Sequence, residues 1–213
     1  MMKYLLLGSL LLTPTIALAE GRLAVGEFSS NSMQGWQERS FVGHTKYQLV
    51  DKDGRRVLHA SSQASASGLY RELEVDLDRT PYLHWSWRSD RLFEDNDEQS
   101  RDGDDYPVRV YVVFSGGLRF WRTRAINYVW SSQQTLGSEW PNAFTGNAQM
   151  IAVDAGSEQL GQWRAHRRNV REDYRRLFDQ EPGKVNAVAI MTDSDNTGQS
   201  AEAWYGDIWF SGQ

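Results

Sequence analysis

Two stretches of strict alternation constrain this chain more than any other feature. Across residues 82–88, Leu83, Trp85 and Trp87 fall on one side and His84, Ser86 and Arg88 on the other. Across residues 108–114, Val108, Val110, Val112 and Phe114 oppose Arg109, Tyr111 and Val113. A period of two belongs to a strand with one face in a core, and such strands need a second layer to cover them. Further short runs at 47–50, 57–60, 69–77, 119–130, 149–153, 185–192 and 201–210 lie between Gly, Asn, Asp and Pro clusters, the punctuation of a sandwich or barrel. One segment keeps helical time: Trp163, Val170, Tyr174, Leu177 and Phe178 share a stripe that Pro182-Gly183 ends. The expected fold is all-β, a two-sheet antiparallel sandwich with one covering helix within 162–178.

The first residues read as a signal peptide. Lys3 precedes an apolar run over 5–12, and Ala17-Leu18-Ala19 is a small-x-small cleavage site. The run is too short to remain across a bilayer. Cleavage near Ala19-Glu20 would leave 20–213 as a single domain, periplasmic or secreted and not membrane-spanning. The chain has no cysteine, so neither a lipid anchor nor a disulfide framework is expected. Its 23 Lys+Arg stand against 28 Asp+Glu, and losing Lys3 sharpens the acidic balance. A general nucleic-acid binder needs the opposite sign. The nine tryptophans fill a β core well, and two or three of them are expected to line a site for stacking on a flat ligand face.

The polar residues suggest where that site lies. Asp193, Asp195 and Gly198 occupy positions 1, 3 and 6 of a calcium-loop pattern. That pattern requires a bidentate Glu at position 12, which here is Trp204, with Glu202 the nearest acid. A strand-end turn or a sugar-binding loop fits the stretch better than an autonomous calcium loop. The acid-rich run 94–105 reads by default as a solvated loop, but Asp104 and Asp105 abut the strand that carries Arg109 and Tyr111. If the two alternating strands are neighbours, His84, Arg88, Arg109 and Tyr111 project from one face. The ligand set is then His84, Arg88, Asp105, Arg109, Tyr111, Asp193 and Asp195. The arginines at 164, 167, 168, 171, 175 and 176 form either a solvated face or a contact for an anionic partner. No phosphate loop, zinc pattern, dinucleotide fingerprint or serine-hydrolase elbow is present, so no cofactor is expected.

Two resemblances follow from these residues. Gly26-Glu27-Phe28 with Gly35-Trp36 at one end, and Tyr205 through Phe210 at the other, resemble the first and last strands of galactose-binding-like jelly rolls found in carbohydrate-binding modules. That resemblance implies a jelly-roll sandwich and allows a structural calcium between Glu27 and Asp207. Trp85-Ser86-Trp87, Asp104 through Val110, Tyr128-Val129-Trp130, Arg168-Asn169-Val170 with Asp173, Tyr174 and Phe178, and Thr192 through Thr197 running into Tyr205-Gly206-Asp207 are similar to the bacterial family known as domain of unknown function 3047. The leading expectation is non-covalent recognition of a polysaccharide or cell-envelope glycan. One alternative is a small glycan hydrolase or lyase with Asp105, Asp193 or Asp195 as acid or base. Another is an envelope assembly or adaptor protein.

Overall fold

The computed structural model describes residues 21–118 and 122–213. The expected signal peptide lies outside the described residues, as do Trp121 and the start of the 119–130 run. Among the described residues no helix is long and apolar enough to cross a membrane.

The chain forms two sheets facing one another across a core. The first contains β1 (Leu23–Gly26), β3 (Lys46–Lys52), β4 (Arg55–Gln63), β6 (Tyr82–Ser89), β11 (Arg164–Asn169), β13 (Ser200–Tyr205) and β14 (Ile208–Ser211). The second, in spatial order, is β2 (Gln37–Val42), β5 (Ala66–Val75), β12 (Val185–Met191), β7 (Arg109–Phe114), β8 (Arg124–Ser131), β10 (Thr145–Ala155) and β9 (Glu139–Asn142). All pairings are antiparallel except β8 with β10, which is parallel because the β9–β10 hairpin folds back along β8. The alternation acts as predicted: Leu83, Trp85 and Trp87 from one sheet meet Val110, Val112 and Tyr128 from the other. A smaller cluster of Tyr106, Val129, Trp140, Met150 and Ala152 covers the outer side of the second sheet at one end.

β13 and β14 lie end to end along one edge of β6. The break falls at Gly206, whose N–H donates to the Ser86 carbonyl at 2.8 Å. A Cβ there would sit 2.3 Å from Ser86 Oγ, so a larger residue would have to turn that hydroxyl aside. β1 pairs with β14, bringing the two ends of the described chain together.

The helical segment divides in a way its spacing did not predict. Residues 164–169 form a strand on the other edge of β6, Arg164 opposite Trp87 through Asn169 opposite Tyr82. Only α1 (Val170–Phe178) is helical, with the Asn169 side chain accepting from Glu172 N–H as its N-cap. The open edge of β6 supplied backbone partners, so the seven-residue gap from Trp163 to Val170 is crossed mostly in extended form. Most of the arginines here are locally neutralised, Arg167 being the exception, stacked over Tyr82. Arg168 and Arg176 grip buried Asp173, Arg171 meets Asp78 and Glu181, and Arg175 meets Glu181.

Candidate functional site

The outer face of the second sheet carries a groove. β12 runs through it and presents Ala187, Ala189 and Met191, so the floor is low along its length. In register, Ala189 lies between Tyr70 of β5 and Tyr111 of β7, and Tyr111 in turn pairs with Asn127 of β8. Alternation on β8 sends Ile126 and Tyr128 inward and turns Asn127 toward the groove. Two adjoining depressions of about 390 and 510 Å³ share Phe41, Tyr111 and Met191, sizes typical of small-ligand sites. Phe41 and Phe144, 61% and 52% exposed, stand on opposite rims.

One end of the groove is polar, and three chain segments build it. β7 begins with Arg109, the loop before it supplies Asp104 and Asp105, and the loop after β12 supplies Asp193 and Asp195. Arg109 and Met191 are register partners, so the Asp193 loop necessarily begins beside Arg109. The Arg109 guanidinium forms a buried ion pair with Asp193 and lies 3.6 Å from an Asp104 oxygen. Tyr106 N–H donates to Asp193 Oδ1 at 3.2 Å. The two Asp105 oxygens accept from Asn196 N–H at 3.3 Å and Thr197 N–H at 2.6 Å, which pins the second loop to the first. Asn142, at the end of β9, donates to both Asp104 oxygens at 3.1 Å. Behind this layer Tyr205 crosses from the other sheet, and its hydroxyl donates to the Met191 carbonyl at 2.7 Å and meets the Thr192 hydroxyl at 2.9 Å.

Burial without full neutralisation sets the electrostatics. Burial raises the Asp104 carboxyl, against the opposing pull of Arg109 and Asn142. Burial and then the Asp105 charge raise Asp195, which makes no salt bridge. Burial pushes the Tyr111 hydroxyl up to about 12, so it stays neutral and both donates and accepts near neutral pH. Asn127 is 1% exposed, and neither its Oδ1 nor its Nδ2 has a partner among the described residues; Arg109 Nε is likewise unpartnered among them. Buried amide groups are seldom left unmet, and here the Asn127 side chain lines the polar end of the groove.

The structure brings together Asp105, Arg109, Tyr111, Asp193 and Asp195, and separates His84 and Arg88 from them. The expected adjacency of the two alternating strands is corrected: β6 and β7 belong to opposite sheets. Alternation fixes which side chains leave the core, but each outer face points to a different side of the sandwich. His84 stacks on Trp209 at 5.0 Å and bonds Ser211 at 2.7 Å, while Arg88 is held by Asp53 and Asp90. The acidic run is solvated only in part: Glu94, Asp95, Asp97 and Asp102 are exposed. Asn96, Glu98, Asp104 and Asp105 are buried, and Glu98 is met by the Ser131 hydroxyl and the Ser132 N–H.

The pair that the resemblance implies for calcium, Glu27 and Asp207, has no third carboxylate grouped with it among the described residues. Both Asp207 oxygens are engaged by Ser29, from its N–H at 2.8 Å and its hydroxyl at 2.5 Å. Glu27 points into solvent, and calcium takes six to eight oxygens. Among the described residues the three-carboxylate grouping is instead Asp105, Asp193 and Asp195, with oxygens within 4.8 Å of one another; there the Arg109 guanidinium already occupies Asp193. Among the described residues no tryptophan lines the groove, contrary to expectation: its aromatics are Phe41, Tyr70, Tyr111 and Phe144. Sequence reading missed Phe41, Tyr70, Asn127, Asn142 and Phe144 as site residues. Tyr70 and Asn127 carried a signal, since each alternates with core residues, but Phe41 lies on an edge strand exposed along its whole length.

Comparison with solved structures finds similarity to the family 11 carbohydrate-binding module of the cellulosomal cellulase Lic26A-Cel5E of Clostridium thermocellum (12% identity, 89% of this chain and 96% of that one, TM-score 0.46). The Emp47p carbohydrate recognition domain is also similar (11% identity, 91% and 95%, TM-score 0.47), as is the K1 cleaved adhesin domain of Lys-gingipain from Porphyromonas gingivalis W83 (12% identity, 90% and 98%, TM-score 0.41). No curated protein matches the chain. Over residues 34–209, a span that holds the whole groove and both aspartate loops, the chain matches the model of the family described as "Protein of unknown function (DUF3047)", and it belongs to that family.

Proposed function

We propose that this is an exported saccharide-binding protein that recognises a glycan non-covalently along the outer face of its second sheet. One observation carries the reading: a groove with Ala187 and Ala189 on its floor and Tyr70 and Tyr111 beside it ends at Asn127, a buried amide without a partner among the described residues. Aromatic rings offer flat apolar surface to a sugar ring, while the amide, the Tyr111 hydroxyl and Asp195 can exchange hydrogen bonds with hydroxyls. Burial leaves Asn127 little rotamer freedom to lose on binding.

The arrangement supports hydrolysis less well. Glycosidases place two carboxyl groups on either side of the scissile bond, about 5–9.5 Å apart. Here Asp105, Asp193 and Asp195 cluster at one end of the groove, with Asp193 committed to Arg109 and Asp105 to backbone N–H groups. The adaptor reading would suit a flat basic face, and of the arginines that suggested it Arg164, Arg168, Arg171, Arg175 and Arg176 are ion-paired while Arg167 lies over the Tyr82 ring. Export rests on the apolar run and Ala17-Leu18-Ala19, and cell fractionation with N-terminal sequencing tests it.

The function is tested by screening the purified domain against a panel of soluble oligosaccharides, with calorimetry on any binder and mass spectrometry of the sugar afterwards. Unaltered sugar and affinity that falls in Asn127→Ala and Tyr111→Ala are expected. Shortened sugar would replace binding by catalysis. No binding across the panel would remove the proposal.

A further inference from the structure

The polar end of the groove is dominated by carboxylates. Asp104, Asp105, Asp193 and Asp195 surround a single guanidinium, that of Arg109. Three of these carboxylates are buried, and Asp195 is half-buried at the groove. Their oxygens are not equally committed. Asp193 is held by Arg109 and Tyr106 N–H, Asp104 by Asn142 and Arg109, and Asp105 by two loop amides. Asp195 makes no salt bridge and lies against Asp105, whose negative charge opposes its own ionisation.

The other charges near the groove do not restore the balance. Arg39 and Glu72 both line the far depression and offset one another. Arg39 lies over Phe41 and Arg101 over Phe144, each at 5.4 Å from the ring centroid on the rims. Exposed rim cations are screened by water and salt, whereas charges in a partly dry cavity interact more strongly. A ligand carboxylate or phosphate entering beside Asp195 would therefore meet net repulsion. A ligand cation there would relieve it.

Building on the saccharide reading, we propose that the groove prefers a glycan carrying free amino groups, with a sugar ammonium seated on Asp195, backed by the buried Asp105 charge, and the neighbouring hydroxyls on Asn127. The buried unpartnered amide marks the position as a ligand site, and the aspartates set its sign. An ammonium hydrogen-bonded to a carboxylate is worth more than a hydroxyl in its place. The preference over the same oligomer in N-acetylated form is expected to be about tenfold.

The test is calorimetry at neutral pH with four probes: a β-linked glucosamine oligomer, its N-acetylated form, a glucose oligomer of equal length and a uronic acid oligomer. The expected order puts glucosamine first and uronate last. Added salt should weaken only the glucosamine complex, and Asp195→Asn should lower glucosamine affinity toward that of the acetylated form. The salt series on the unmodified protein decides the matter if that variant fails to fold. Equal affinity for neutral and amine-bearing sugars, or a preference for uronate, overturns this inference while leaving saccharide binding intact. Failure of all four sugars overturns both. A lysine-rich peptide that outcompetes glucosamine would assign the site to protein, and chelator-sensitive stabilisation by calcium without any amine preference would assign it to a metal; either result overturns the proposal.

Discussion

Asp193 and Arg109 form a buried ion pair that locks the loop after β12 to the start of β7. Removing one partner from such a pair leaves an uncompensated buried charge, a cost of about 3–5 kcal/mol. Arg109→Leu is expected to fall in that range by chemical denaturation, with Asp104 also losing its cation. If stability changes by less than about 1 kcal/mol, against that range, the pair is not what holds the two loops.

The groove and the opposite face should separate cleanly. Phe41→Ala removes an exposed rim ring, and for a bound oligosaccharide a three- to tenfold loss of affinity is expected, matching about 0.5–1.5 kcal/mol for an aromatic contact. His84→Ala and Arg88→Ala alter the outer face of the first sheet and should leave that affinity unchanged. Titrations in which the His84 or Arg88 variant loses affinity while the Phe41 variant does not would move the site to the other sheet.

Asp154 couples the two sheets and should shape the acid limb of stability. It lies on β10, and its oxygens accept from Trp87 Nε1–H at 2.6 Å and Arg164 Nε–H at 3.0 Å, with His166 at 2.8 Å. Burial alone would raise this carboxyl, but His166, Trp87 and Arg164 outweigh it and the net shift is downward. A depressed folded-state value means that the carboxylate stabilises the fold above the unfolded value of about 3.9, and that this is lost as pH falls through the folded value. Melting curves across that range should show the acid decline in the unmodified protein. The decline should flatten in Asp154→Ala, which itself costs about 1–3 kcal/mol at neutral pH by leaving the buried Trp87 N–H unmet. An unchanged acid limb would contradict this role.

Gly103 sets the approach to Asp104. It ends a short 3-10 turn (Arg101–Gly103), and a Cβ added there would lie 2.3 Å from the Asp97 carbonyl oxygen. Gly103→Ala must displace backbone, and an overpacking cost of about 1–3 kcal/mol is expected. Because Asp104 and Asp105 follow directly, affinity for a bound saccharide should fall in the same variant. A Gly103→Ala protein with native stability and affinity would show that the turn can shift freely.

By itself, the sequence determined the layers of this protein. The periodicity of Leu83, Trp85 and Trp87, and of Val108 through Phe114, is a local property of extended backbone. It therefore specified strands, their buried faces and a sandwich without reference to partners. The attachment of the Asp193 loop to an apolar strand end was legible for the same reason. Which strands neighbour one another was not. Pairing is a contact between segments distant along the chain, so only the tertiary structure decided that β6 and β7 lie in opposite sheets, parting His84 and Arg88 from Arg109 and Tyr111. It also decided that Arg164 through Asn169 extend along an open edge of β6. Burial of part of the acid run was equally hidden, because a carboxylate can leave water only where donors from elsewhere meet it, and Glu98 finds its donors at Ser131 and Ser132.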